Sequence, residues 1–239
     1  MHVRAVMPLT AVWYLLFCLP LFLFSPDAKS TVVPLGKAVG QAFGQIRDSL
    51  RHIRSHRGVA VFLLARMLYN DGLTTMFAFG GIYAAATFGM SPSEVILFGI
   101  GLNVTAGLGA AAFAWMDDRV GPRKTILASL TGLIVPGVAI LLVTDKTLFW
   151  IFGLAIGIFV GPVQASSRSY LARVAPEDLR TEMFGLFALS GKLTSFLGPF
   201  LVGWLTLAAD SQRVGMSAVI GLFVLGLLGM LFVPAAKNR

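Results

Sequence analysis

Apolar residues in this chain do not alternate with polar ones. They run together in seven blocks, at residues 7–24, 59–87, 93–116, 125–143, 148–170, 183–207 and 214–234. Each block is long enough to cross about 30 Å of hydrocarbon at ~1.5 Å per residue, the second and sixth with some tilt. A barrel strand needs only about 10 residues of alternating pattern, so the blocks predict membrane-spanning helices and exclude a closed β-barrel. Composition agrees: 56% of residues are hydrophobic and 13% charged, with mean hydropathy +0.82, whereas a soluble domain carries about 25% charged residues. The expected fold class is an all-α, polytopic membrane protein. The single cysteine, Cys18, lies inside the first block, so it says nothing about a disulfide framework.

The net charge of +8 becomes informative once it is placed along the spans. If the segment 25–58 is cytoplasmic, fourteen of the 19 Lys and Arg residues fall on that side and three, Arg4, Lys146 and Arg213, on the other; Arg66 and Lys192 lie within spans. This positive-inside asymmetry puts the N-terminus outside and the C-terminus in the cytoplasm. The basic excess then faces anionic lipid, the lipid bilayer is the expected partner, and nucleic acid is not. A bacterial cytoplasmic (inner) membrane is the expected location. The first block, residues 1–24, is read as a spanning helix rather than a signal peptide. Its apolar run is long for that role, contains Trp13, Tyr14 and Pro20, and carries more positive charge after it than before it.

Between residues 25 and 58, Val39, Phe43, Ile46, Leu50 and Ile53 recur at helical spacing among Arg47, Arg51, Arg54 and Arg57, which predicts a basic amphipathic linker on the inner leaflet. A docking site for a soluble partner is the alternative. The remaining spans, residues 59–234, divide into two groups of three of opposite topology, the arrangement of inverted repeats in secondary transporters. Residues 235–239 form a short cytoplasmic tail.

The densest short motif is Ala114-Trp115-Met116-Asp117-Asp118-Arg119-Val120-Gly121-Pro122-Arg123-Lys124. Gly121 permits a tight turn between adjacent helices, Asp118 can meet a helix N-terminus or a cation, and the basic residues face lipid headgroups. The motif resembles the cytoplasmic loop signature of the major facilitator superfamily, with Ala114 where Gly is usual and Pro122 inserted before the basic pair. Arg66-Met67-Leu68-Tyr69-Asn70-Asp71-Gly72 with Gly80-Gly81-Ile82-Tyr83-Ala84 resembles the seventh helix of the branch related to the fungal vacuolar (autophagy-related) amino-acid effluxer. Gly161 to Ser169, Ala175-Pro176-Glu177 and Glu182 to Phe187 resemble its tenth and eleventh helices and their joining loop. The resemblance implies a major-facilitator-type half-bundle of six transmembrane helices in two inverted three-helix repeats plus one preceding transmembrane helix. The first span would be the sixth of twelve and the chain a C-terminal fragment, whose partner is a missing N-terminal half or a second copy.

Charged groups inside spans are costly and so are functional candidates. Asp71 stands near the middle of its span beside Asn70 and before Gly72, and Lys192 stands at mid-depth after Gly191. They read equally well as groups in a solute or ion path or as a structural pair. Asn103 and Gln164 are further polar path candidates, although hydrogen bonding between helices is the commoner use of such residues. Arg168 lies near a cytoplasmic end, within reach of Glu177, Asp178 or Glu182. The expected cytoplasmic gate is Asp118, Arg119, Gly121 and Arg123 in the first triplet and Arg168 with Glu182 in the second. Gly153, Gly157 and Gly161 indicate close helix packing, and Ser91-Pro92-Ser93-Glu94 predicts a capped helix start.

No His-Glu-x-x-His, Cys/His cluster or Walker glycine loop occurs in the sequence, so no enzyme, cofactor or metal is expected. The function expected is transmembrane transport of a small solute by alternating access, with amino acids the first candidates by resemblance and a coupling proton as a possible co-substrate. Two alternatives stand beside it: a seven-helix retinal-type photoreceptor with Lys192 as Schiff base and Asp71 as counter-ion, and a non-transporting fragment or packing subunit.

Overall fold

The computed structural model describes residues 2–25, 57–177 and 179–235. The expected linker helix, Asp178 and the last four residues lie outside the described residues. Helix α1, His2–Phe24, is described by itself. It is apolar from Ala5 onward apart from Thr10, and its side chains from Val6 onward are exposed apart from half-buried Cys18.

The second unit begins with α2 (Arg57–Phe88), α3 (Pro92–Val120), α4 (Pro122–Leu142) and α5 (Lys146–Val174). It ends with α6 (Arg180–Leu193), α7 (Leu197–Ala209) and α8 (Gln212–Leu231). No strand occurs among the described residues. Among the described residues six stretches are long and apolar enough to cross a membrane: α1 from Val6, α3, α4, α5, α8, and α6 with α7 taken together. Helix α2, 32 residues long, has the length to cross but is not apolar enough to be among them, and it carries Arg66, Asn70 and Asp71.

Short connections force successive helices to run antiparallel. The link from α2 to α3 turns through Gly89 at φ +62. Helix α3 then starts at the expected cap: Glu94 N–H donates to Ser91 Oγ, Ser91 N–H donates to Glu94 Oε2, and Pro92 occupies the first helical position. The opposite carboxylate oxygen of Glu94 meets Lys146 Nζ at 2.5 Å, tying the start of α3 to that of α5. Between α3 and α4 the whole connection is Gly121, at φ +92, a value that favours glycine.

Packing follows the small residues. Helix α3 lies along α5, where Gly157 faces the Thr105 side chain and the Leu102 carbonyl, and Gly161 faces the Ala106 carbonyl. Added Cβ atoms would collide there, so the glycine spacing sets the close approach. Helix α2 lies along α8, with Gly226 against Tyr69 and Gly229 against Ala65. The core between these pairs holds Phe62, Tyr69, Ile126, Leu130, Tyr170 and Phe223, all nearly inaccessible.

The sixth expected span, 183–207, is not one continuous helix. It breaks at Thr194–Phe196 into α6 and α7. Pro199 supplies the reason: in a continuous helix its ring would meet the carbonyl of Ser195, and it has no N–H to donate. Starting a new helix at Leu197 places Pro199 in a first turn, where its missing N–H costs nothing. Two tight bonds carry the chain across the break, from Ser195 N–H to Lys192 O at 3.3 Å and from Leu197 N–H to Thr194 O at 2.8 Å.

A broken span gripped by one helix, and a charge cluster at one end of the bundle

A helix that stops inside a bundle leaves carbonyls unpaired on one side of the break and N–H groups unpaired on the other. Helix α2 answers the carbonyl side with Asn70 and the N–H side with Asp71, and holds α6 one turn before its end with Arg66, on a Phe187 carbonyl that Ser190 Oγ also meets. Arg66 donates to Phe187 O at 2.8 Å and to Ser190 Oγ at 3.1 Å, with its guanidinium 3.5 Å from the centre of the Phe187 ring. Asn70 donates from Nδ2 to Gly191 O at 3.1 Å. Asp71 accepts the Gly198 N–H on Oδ2 at 3.0 Å. Donors thus meet the carbonyl end of α6 and a carboxylate meets the N–H end of α7, each the sign that the helix dipole favours. The residue preceding α7, Phe196, offers no cap of its own.

This geometry separates groups that the sequence allowed to pair. Asp71 is buried at 1% exposure, whereas Lys192 is exposed and forms no ion pair with it. Asp71 is paired with a backbone N–H, and the counter-ion arrangement that a retinal photoreceptor requires is not formed. Asn70 is half-buried. Asn103 is exposed, with its amide donating to Gly99 O of its own helix at 2.9 Å, and Gln164 is exposed on α5. Asn103 also edges a largely apolar, partly open cavity of about 210 Å³ lined by α2, α3, α4, α5 and α8.

At the Asp117–Lys124 end of the bundle the buried carboxylate is Asp117, which the sequence reading passed over in favour of Asp118. Asp117 Oδ2 accepts from Ser169 Oγ at 2.7 Å and from Arg173 Nη2 at 3.0 Å. Asp118, its side chain 82% exposed, meets the same Arg173 at 3.6 Å. Arg119 stacks over the Trp115 ring at 4.1 Å, and Gly121 N–H closes α3 on Asp117 O. Arg123 reaches across to donate to Leu231 O at 2.8 Å, and Tyr170 Oη donates to Pro234 O at 2.9 Å. The loop is therefore tied to α5 and to the end of α8. Arg168 is exposed on α5, and Glu182 is half-buried in the first turn of α6.

In these networks Ser169, Tyr170, Arg173, Ser190 and Gly198 had no site role in the sequence reading, and Asp117 entered it only as a member of the loop motif. The one available signal was Gly198-Pro199, which marks a helix restart inside a hydrophobic run.

The fold is that of the major facilitator transporters: a proton:xylose symporter of that superfamily, XylE, solved with 6-bromo-6-deoxy-D-glucose, superposes with TM-score 0.58 at 16% identity, over 75% of this chain and 44% of the symporter. Within that class, residues 1–239 match the family described as vacuole effluxer Atg22 like, and the chain belongs to it. Among curated relatives, the uncharacterized MFS-type transporter YxiO of Bacillus subtilis is 24% identical over 226 residues, 95% of this chain and 52% of that protein. Autophagy-related protein 22 of Candida glabrata is 28% identical over 205 residues, 80% of this chain and 38% of its own length. The Saccharomyces cerevisiae protein of that name, strain S288c, is 30% identical over 174 residues, 66% and 32%. The chain spans about a third to a half of the length of these relatives. It is a multi-pass integral membrane protein of transporter type.

Proposed function

We propose that this chain acts as the C-terminal half of an alternating-access transporter for a small solute, amino acids first, in a bacterial cytoplasmic membrane with its N-terminus outside and C-terminus inside. The observation that carries the reading is the broken span α6–α7, held by Arg66, Asn70 and Asp71 of α2. Discontinuous helices of this kind build solute and ion sites in secondary transporters, because unwound backbone is tolerated at membrane depth only within protein or beside a cavity. In this reading Lys192, Asn70, Asn103 and Gln164 line the solute path, with Asp71 behind them and a proton as the coupling ion. Exposed polar groups on spans need water or a polar partner, which a path between this half and another half supplies. Asp118, Arg119, Gly121, Arg123, Arg168 and Glu182 then form the cytoplasmic gate.

The test is uptake of radiolabelled amino acids into proteoliposomes holding the chain alone or together with the N-terminal half of the Bacillus relative. Saturable uptake that Lys192→Gln abolishes supports the reading. Absence of solute-specific flux in both preparations, with both proteins folded, would overturn it.

A further inference from the structure

Two cavities meet at Tyr83. The first, of about 210 Å³, is the one that Asn103 edges; the second, of about 250 Å³, lies between α2, α7 and α8, and Tyr83 of α2 and Met216 of α8 stand in the wall of both. They occupy the end of the bundle away from the Asp117–Lys124 loop, since α8 borders the second cavity at its first residue, Gln212, and ends at Leu231 beside Arg123. Room is left at the glycines: a Cβ added at Gly80 or Gly99 of the first cavity, or at Gly203 of the second, would meet nothing within 4 Å. Joined past the flexible Met216 side chain, the two reach the roughly 300–1,000 Å³ of small-molecule sites.

Two polar atoms on these walls are buried without a partner among the described residues: the hydroxyl of Tyr83, which is 3% exposed, and Gln212 Oε1. The one charge among the described residues that acts on the Tyr83 hydroxyl is Arg213, so the hydroxyl is directed to the first turn of α8, where Gln212 stands. Arg213 itself donates to Leu141 O at 3.0 Å and lies 5.8 Å from the Phe88 ring centre. Thr206, the remaining polar side chain of the second cavity, is turned against Gly215. Polar atoms buried in this way are costly unless a bound molecule meets them.

Their chemistry selects the molecule. The Tyr83 O–H needs an acceptor, and Gln212 Oε1 needs a donor. A hydroxyl group supplies both at once. An ammonium has no acceptor and would face Arg213, while a carboxylate would turn its charge on Gln212 Oε1. Most of both walls is apolar, and exposed Ile82 and Leu207 rim the second cavity, which suits an apolar body arriving from hydrocarbon.

We propose that the two cavities form one site for a neutral, membrane-dissolved molecule with an apolar chain and a single hydroxyl, the chain in the glycine-lined cavity and the hydroxyl between Tyr83 and Gln212. The site goes beyond the transport reading and does not depend on it. It borders α7 at the end away from the Asp71 cap, so an occupant braces α7 against α2 and α8.

The experiment measures uptake of tritiated decanol by the full chain in lipid nanodiscs, above uptake by empty nanodiscs, with unlabelled decanol, decane, decanoate and decylamine as competitors. Saturable binding of one decanol per chain is expected, displaced by decanol at lower concentration than by any of the other three. Tyr83→Phe and Gln212→Met should each weaken decanol about two- to tenfold, the loss of one neutral hydrogen bond, and leave competition by decane unchanged. Gly203→Leu fills the second cavity and should abolish saturable binding while the protein still folds. Should it fail to fold, Tyr83→Phe and Gln212→Met carry the test. Uptake no greater than by empty nanodiscs, or saturable uptake that folded Gly203→Leu leaves unchanged, would overturn the site. Equal competition by decane, or an affinity unmoved in both polar variants, would overturn the hydroxyl assignment and leave the two polar atoms to water. Tighter binding of decanoate would overturn it in favour of a carboxylate at Arg213.

Discussion

Asp71 caps α7 from 127 residues away, its Oδ2 accepting the Gly198 N–H at 3.0 Å. A cap supplied by another helix couples the two: α7 cannot tilt about the break without breaking a bond to α2. Asp71→Asn keeps an oxygen acceptor of the same size but loses the charge that matches the helix terminus. We expect thermal unfolding in detergent to change little while solute flux is lost. A collapse of folded protein instead would assign Asp71 a structural role alone.

Gly198 has no room for a side chain, because a Cβ would fall on Thr75. Gly198→Ala is expected to destabilise by about 1–3 kcal/mol, the usual range for overpacking. Adding Thr75→Ala should recover part of that loss, since the pair is in contact and so non-additive. Thermal melts of the two single variants and the double variant check this.

Asp117 and Asp118 are adjacent in sequence and opposite in environment. Asp117→Ala removes the acceptor for Ser169 and Arg173 and is expected to cost about 1.5–3 kcal/mol, the range for hydrogen bonds to charged groups. Asp118→Ala, at an exposed position, should leave the melting temperature unchanged. Equal effects would contradict the burial difference.

Lys192 is exposed and makes no ion pair among the described residues, so Lys192→Gln should fold like the wild type. If it holds a solute carboxylate, losing that contact, about 1.5–3 kcal/mol, lowers flux by roughly ten- to a hundredfold. Flux assays paired with melts separate this from a folding defect.

Glycines of the spans divide sharply by surroundings. Gly157→Val meets Thr105 and the Leu102 carbonyl and should prevent α3 and α5 from closing, whereas Gly203→Ala meets nothing within 4 Å and should be silent. Yield of monodisperse protein after detergent extraction distinguishes them.

The fold was legible because membrane burial writes itself into composition: a helix in hydrocarbon must be about 20 apolar residues long, and Lys and Arg mark one side. The cap at Ser91–Glu94 and the close packing at Gly157 and Gly161 were equally readable, since each depends on residues near one another in sequence or on the absence of a side chain. Residue identity also singled out Asp71, Asn70, Lys192 and the Asp117–Lys124 loop as costly or conformationally special.

Tertiary structure decided which of these groups meet. Pro136 and Pro162 lie inside continuous helices, while Pro199 accompanies a break, so proline alone did not locate the discontinuity. The break became stable only where α2 presents Arg66 and Asn70 to one end and Asp71 to the other. Likewise, Asp117 and Asp118 are identical in chemistry, and only the rotation of α3 against α5 selects the first for Ser169 and Arg173. Sequence determines what each residue can donate, accept or bury; the partner 52 to 127 residues away is fixed by how helices rotate and pack, which local pattern does not encode.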